Sequence, residues 1–350
     1  MHRTWRKGAD RRGAPPAPAR AAVCIVATLG LVTAPVAAGS GPADETLGAR
    51  DDTGVAAPAR VFVTIPPLAS LVERIGGDRV ATGVLVEAGE SPHAYEPSPR
   101  QLADLSAADV YFAIGLPFEE QLVAELRTLD PDVAFFDASD GIERRPIDES
   151  GTEHAGHAHD QHDTGRLDPH VWLAPANLAR IAGNLAAGLS AVDPEGRTLY
   201  EASLAELLDE IDGLDSDLTE TLASLRGSDL YVFHPAFGYF ADAYGLRQVA
   251  IQTAGREPGA RALADLVDSA ARQEVRAVFV QPQFSERSAE AVAGEIGAVV
   301  VALDPLAYDC LGNLRAIADT VLRWLGEAET ETASPGALTP EASLEEKSQR

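Results

Sequence analysis

From Val61 onward, short apolar runs alternate with amphipathic stretches. Val61–Ile65, Gly83–Val86, Val110–Ile114 and Ala134–Phe136 have the length and composition of buried strands. Between them, Leu68–Ile75, Pro99–Ala107 and Phe118–Leu126 carry apolar residues at helical spacing. The rhythm returns in the second half, with strands expected at Leu230–Phe233, Val249–Gln252, Ala277–Val280 and Val299–Leu303. Helices are expected at Phe237–Tyr244, Arg261–Gln273, Glu286–Ile296 and Leu311–Leu325. Strand and helix in alternation predict an α/β fold of two similar lobes. Each would be a four-stranded, mostly parallel sheet flanked by helices.

Between the halves, Asp193-Pro194 opens a long charged stretch that runs to Leu225. Leu199, Leu204, Leu207, Leu208, Ile211 and Leu214 recur along it at helical spacing. Asp193 before Pro194 reads as an N-cap followed by proline at the first helical position. Such a helix would run roughly 45 Å at about 1.5 Å per residue, enough to join both lobes rigidly. The expected domains are therefore an N-terminal lobe at 59–192, a connecting helix at 193–226 and a C-terminal lobe at 227–328.

The ends of the chain read differently. Arg3, Arg6, Lys7, Arg11, Arg12 and Arg20 precede an apolar run from Ala21 to Val36, and small residues follow at Ala37 and Ala38. That is the order of a secretory signal, expected at 1–38, with a flexible tether at 39–58. The run is short for a membrane span, and no later stretch is apolar for longer. Export to the periplasm or the outer face of the cytoplasmic membrane is expected, as a monomer. The tail at 329–350 is rich in Glu, Thr, Ser and Pro and is expected to be disordered. Net charge is −26, which excludes a nucleic-acid partner for want of a basic face. Cys24 would leave with the signal, so Cys310 is the only mature thiol and the core must hold the fold without a disulfide. A small buried role suits Cys310 better than a thiolate ligand.

The candidate chemistry lies in the histidines. Of eight, His2 belongs to the leader, and His154, His157, His159 and His162 crowd a polar segment, Gly151–Gly165, with Asp160 and Asp163. This segment is expected to bind metal weakly or to be a solvated loop. His93, His170 and His234 stand singly, each beside a proline. His93 lies beyond the strand that ends at Val86, and His234 ends the strand Leu230–Phe233. Ligands of open α/β sheets bind beyond the carboxyl ends of strands, which is where these residues stand. Asp304 ends the last strand and is the natural fourth ligand, its alternative being a turn cap before Pro305. Three imidazoles and one carboxylate suit zinc; manganese favours an oxygen shell. Each lobe would contribute two ligands, placing the ion in the cleft. Trp172 and Tyr239 are expected to line the core or cleft wall. Glu96, Asp168 and Glu257 are candidates to accept from imidazole N–H groups.

The segments around these residues are similar to those of one known family. Pro92-His93-Ala94-Tyr95-Glu96-Pro97-Ser98-Pro99, Asp168-Pro169-His170-Val171-Trp172-Leu173, His234-Pro235-Ala236-Phe237-Gly238-Tyr239-Phe240 and Asp304-Pro305-Leu306 appear in order. They resemble the four ligand motifs of the zinc/manganese substrate-binding proteins serving ABC importers, over about Val61 to Glu327. Gly255-Arg256-Glu257-Pro258 and Gln281-Pro282-Gln283-Phe284 match further family segments, with Gln281 where Glu is more usual. The resemblance implies zinc as transported cargo, since His rather than Glu at the third position marks zinc binders. Manganese or iron(II) is the alternative cargo. Pro92 stands where some zinc members carry an acidic residue, which favours Asp304 as fourth ligand, with water as the other choice. The implied partners are a membrane permease and its cytoplasmic ATPase. A zinc hydrolase is the competing class, but no His-Glu-x-x-His helix is present and no carboxylate is placed as a general base. Adhesion on the same scaffold would be an added surface property.

Overall fold

The computed structural model describes residues 57–129, 132–147, 167–252 and 259–326. The expected signal, most of the tether, the His-rich segment, the acidic tail and Gly255–Pro258 lie outside the described residues.

In the first half, β1 (Ala59–Val63) pairs in parallel with β2 (Val80–Val84) and β3 (Val110–Ala113), and β4 (Ala134–Asp137) pairs with β3. The order is β2-β1-β3-β4. In the second half, β5 (Asp229–Val232), β6 (Arg247–Ala250), β7 (Ala277–Val280) and β8 (Val299–Ala302) repeat it as β6-β5-β7-β8, again all parallel. In each sheet the first strand is central, and the chain builds first on one side and then on the other. That reversal opens a crevice at the strands' carboxyl ends. All eight expected strands are present. β2 begins three residues before its expected start, and the expected residues Leu85 and Val86 extend its pairing by donating to the Val63 and Thr64 carbonyls.

The flanking helices are α1 (Pro66–Gly76), α2 (Pro99–Ser106) and α3 (Glu119–Leu129) in the first half. In the second they are α6 (Gly238–Tyr244), α7 (Ala260–Arg272), α8 (Glu286–Ile296) and α9 (Cys310–Gly326). Two helices lie between the sheets, where one was expected. α4 (Pro175–Val192) starts with proline at its first turn and buries Leu178, Ile181, Ala182, Leu185 and Leu189. Its Gly188 lies so close to the Phe112 ring that a Cβ would stand 2.4 Å from it. α5 (Arg197–Thr221) is the connector and buries Tyr200, Leu207, Ile211, Leu214 and Leu218, one stripe at helical spacing. It packs on α4, α1 and α9.

The connector begins later than expected because Pro194–Gly196 forms a 3-10 turn, and Asp193 does not cap it with its side chain. The Asp193 carboxylate instead receives Arg79 Nε at 2.7 Å and Nη2 at 2.6 Å, together with the Tyr200 hydroxyl. Two N–H donors in a planar fork satisfy a carboxylate better than a single backbone amide would.

One hydrophobic core joins the halves. Val61, Val63 and Phe112 from the first sheet, Leu207 and Ile211 from α5, and Leu230, Val232 and Phe279 from the second sheet belong to the same buried cluster. Smaller clusters lie around Tyr111, Leu122 and Leu126 in the first half, and around Phe233, Leu266 and Val292 in the second.

Candidate metal centre

His93 sits on a single 3-10 turn, Pro92–Ala94, beyond the end of β2. His170 directly precedes another, Val171–Leu173, which leads into α4. His234 follows β5 by two residues. Three chain segments thus end at the crevice, and their imidazoles meet there. Ring centroids are 5.3 Å apart for His93 and His170, 4.7 Å for His93 and His234, and 5.5 Å for His170 and His234. One potential ligand atom from each of the three lies within 4.8 Å of the other two. The Nε2 atoms of His93 and His234 are 3.0 Å apart. Tetrahedral zinc with Zn–N bonds of about 2.0–2.1 Å would hold its nitrogens roughly 3.3 Å apart, so the His93 and His234 nitrogens already stand within a few tenths of an ångström of the spacing such a shell needs.

Each buried imidazole is oriented from behind. His170 is 2% exposed and its Nδ1 lies 2.7 Å from Oδ1 of Asp168, a carboxylate with no exposure. A carboxylate oxygen accepts, so Nδ1 carries the proton and Nε2 keeps a lone pair for an ion. Asp168 Oδ1 also takes the His170 backbone N–H at 3.0 Å. Its Oδ2 faces Arg145 Nη1 at 3.8 Å, and Arg145 Nε reaches Asp242 of α6 at 3.1 Å. The Tyr239 hydroxyl donates to the Asp168 carbonyl and accepts the Arg145 backbone N–H, both at 3.1 Å. Burial raises the Tyr239 phenol above its ordinary pKa, so it remains a donor. His234 is 7% exposed and its Nδ1 lies 3.3 Å from Gln252 Oε1. Phe284 stacks on its ring at 4.9 Å. Trp172 meets the edge of His170 at 5.5 Å and donates from Nε1 to the Pro305 carbonyl at 2.7 Å.

Asp304 does not belong to the group of three. Its Oδ1 accepts from Gln283 Nε2 at 3.0 Å and from the Leu306 backbone at 2.9 Å, the geometry of a turn cap before proline. Glu96 is exposed, and His154, His157, His159, His162 and Glu257 lie outside the described residues. Cys310 is buried, and burial pushes its thiol up to about 12, so it remains protonated. Gln252, Gln281, Arg145 and Phe284 all contribute at or around the site; the sequence marks Gln281 and Phe284 only as part of a family-like segment without a role, and Gln252 and Arg145 not at all. Glutamine and arginine carry no periodic signal, and only tertiary proximity gives them these roles.

A family model described as zinc-uptake complex component A, periplasmic (ZnuA), matches residues 61–321. The chain belongs to this family. Members of the ZnuA family bind a substrate rather than transform it. A high-affinity zinc uptake system protein ZnuA of Bacillus subtilis is 30% identical over 266 residues, covering 75% of this chain and 82% of that protein. The zinc-binding lipoprotein AdcA of Streptococcus pneumoniae is 29% identical over 252 residues, 70% of this chain. The match spans only 50% of that longer relative. Among solved structures, a ZnuA crystal structure superposes with a TM-score of 0.70 at 39% identity, covering 77% of this chain and 99% of the other. The two-lobed α/β fold is thus that of the ZnuA family. No helix among the described residues is long and apolar enough to cross a membrane.

Proposed function

We propose that this chain captures zinc between its lobes and delivers it to the membrane permease of an ABC importer powered by a cytoplasmic ATPase. His93, His170 and His234 are the ligands. The observation that carries the reading is their convergence from three segments of both lobes, with two rings buried and each backed by an acceptor. Neutral nitrogen donors favour zinc over manganese. Asp304 holds the turn bearing Pro305 and Leu306, which line the pocket beside the histidines. It does so outside the cytoplasm, in the periplasm or at the outer face of the cytoplasmic membrane, a reading that the periplasmic description of the family supports. His154, His157, His159 and His162 form a weak accessory site that raises the local zinc concentration.

Metal analysis of the mature protein, with zinc and manganese in competition, tests this reading. One tightly held zinc per chain is expected against an excess of manganese, and it should persist when residues 151–165 are deleted. Preference for manganese, or loss of the tight site with the deletion, would contradict it.

A further inference from the structure

We infer that Gln281 Oε1 accepts a hydrogen bond from a water that completes the shell of the ion held by the three histidines. This rests on the metal-capture reading above. Gln281 directly follows β7 and is 1% exposed. Its Nε2 donates to the His234 carbonyl at 2.8 Å. A carbonyl only accepts, so this contact decides which end of the amide is nitrogen and which is oxygen. Oε1 is buried and has no hydrogen-bond partner among the described residues. A buried amide oxygen without a donor is unusual and calls for a ligand or water.

Gln281 lines the same pocket as His93, His170 and His234, a cavity of about 20 Å³. That volume suits roughly one water molecule. His170 and His234 direct their Nδ1 atoms at Asp168 and Gln252, so neither is set to donate to Gln281. Asp304 has Oδ1 committed to its turn. A water on a divalent ion is a polarised donor, and it arrives with the cargo. The acceptor's chemistry also matters. A neutral amide orients the water but cannot take its proton, so the site lacks the base that a hydrolase would place there. With three neutral imidazoles and a water, the shell leaves the ion's charge uncompensated, which favours release over permanent retention.

The test uses the full mature chain with one equivalent of cobalt(II) or zinc. Azide added to the cobalt(II) form of the wild type should replace the water and change the visible bands. Gln281→Met should lower zinc affinity about tenfold, whereas Gln281→Glu, which keeps an acceptor for the water but loses the donor to the His234 carbonyl, should lose less. An azide-insensitive cobalt spectrum would overturn the inference, and that titration needs no variant to fold. Wild-type affinity in a folded Gln281→Met, or loss of a cobalt ligand in Asp304→Asn, would overturn it equally. If the wild type binds neither ion tightly, the metal-capture reading itself fails, a result distinct from these.

Discussion

The carboxylate of Asp168 is buried, with one oxygen hydrogen-bonded and the other in a longer ionic contact at 3.8 Å. One fixes the His170 tautomer while the other faces Arg145. Such outer partners typically carry 10- to 100-fold of a site's metal affinity. Asp168→Asn should therefore weaken zinc binding by about 10- to 100-fold in competition with a chromophoric chelator. An unchanged affinity would confine Asp168 to a structural role. Gly238 belongs to the same arrangement, because a Cβ there would fall 1.5 Å from Arg145 Nη1. Protons should compete with the ion. Imidazoles bind metal only when neutral and ordinarily titrate near pH 6.5, so affinity should fall below about pH 6. A dissociation constant unchanged down to pH 5 would exclude imidazole ligation. That His93, His170 and His234 come together was expected from the sequence because each stands singly beside a proline, His234 at the end of an apolar run and His93 past the strand that ends at Val86. Asp304 stands in a similar place, but its carboxylate caps the local turn, a role that sequence position cannot separate from ligation.

At the scale of elements, the junction between β2 and the connector depends on one ionic node. Arg79 lies on the 3-10 turn before β2 and Asp193 just before α5, with Tyr200 in the first turn of that helix. The Arg79 guanidinium, helped by the Tyr200 hydroxyl, holds the Asp193 carboxyl down to about 2. A depressed carboxyl pKa contributes stability that is fully present above the unfolded value of about 3.9 and is lost as pH falls toward 2. Arg79→Met should accordingly lower the denaturation midpoint at pH 6, and its difference from wild type should shrink between pH 4 and pH 2. A difference that stays constant over that range would mean that packing, not the ion pair, is what the substitution removes. The strands and most helices could be read from apolar spacing, but α4 could not. Its Ala- and Gly-rich sequence, PANLARIAGNLAAGLSAV, blurs the contrast between faces. The signal that could have found it is Pro175 at the first turn, followed by Leu178, Ile181, Leu185 and Leu189.

For the whole molecule, the continuous core through α5 predicts that the lobes unfold together. Leu207→Ala, at a fully buried position of that helix, should cost about 2–5 kcal/mol. Urea denaturation followed by tryptophan fluorescence and by far-ultraviolet circular dichroism should show one coincident transition, shifted to lower urea in the variant. Two separated transitions would show that the lobes have independent cores. The two-lobed plan was apparent in the repeated strand rhythm, whereas the fusion of the lobes into one core was not. It depends on how α4, α5 and α1 pack, which no single segment encodes. On this reading three imidazoles from distant segments share one zinc ion. X-ray absorption at the zinc edge, on protein lacking residues 151–165 and carrying one equivalent of zinc, tests this most directly. Three imidazole nitrogens at about 2.0–2.1 Å with one oxygen are expected, and a shell with one imidazole or none would contradict the account.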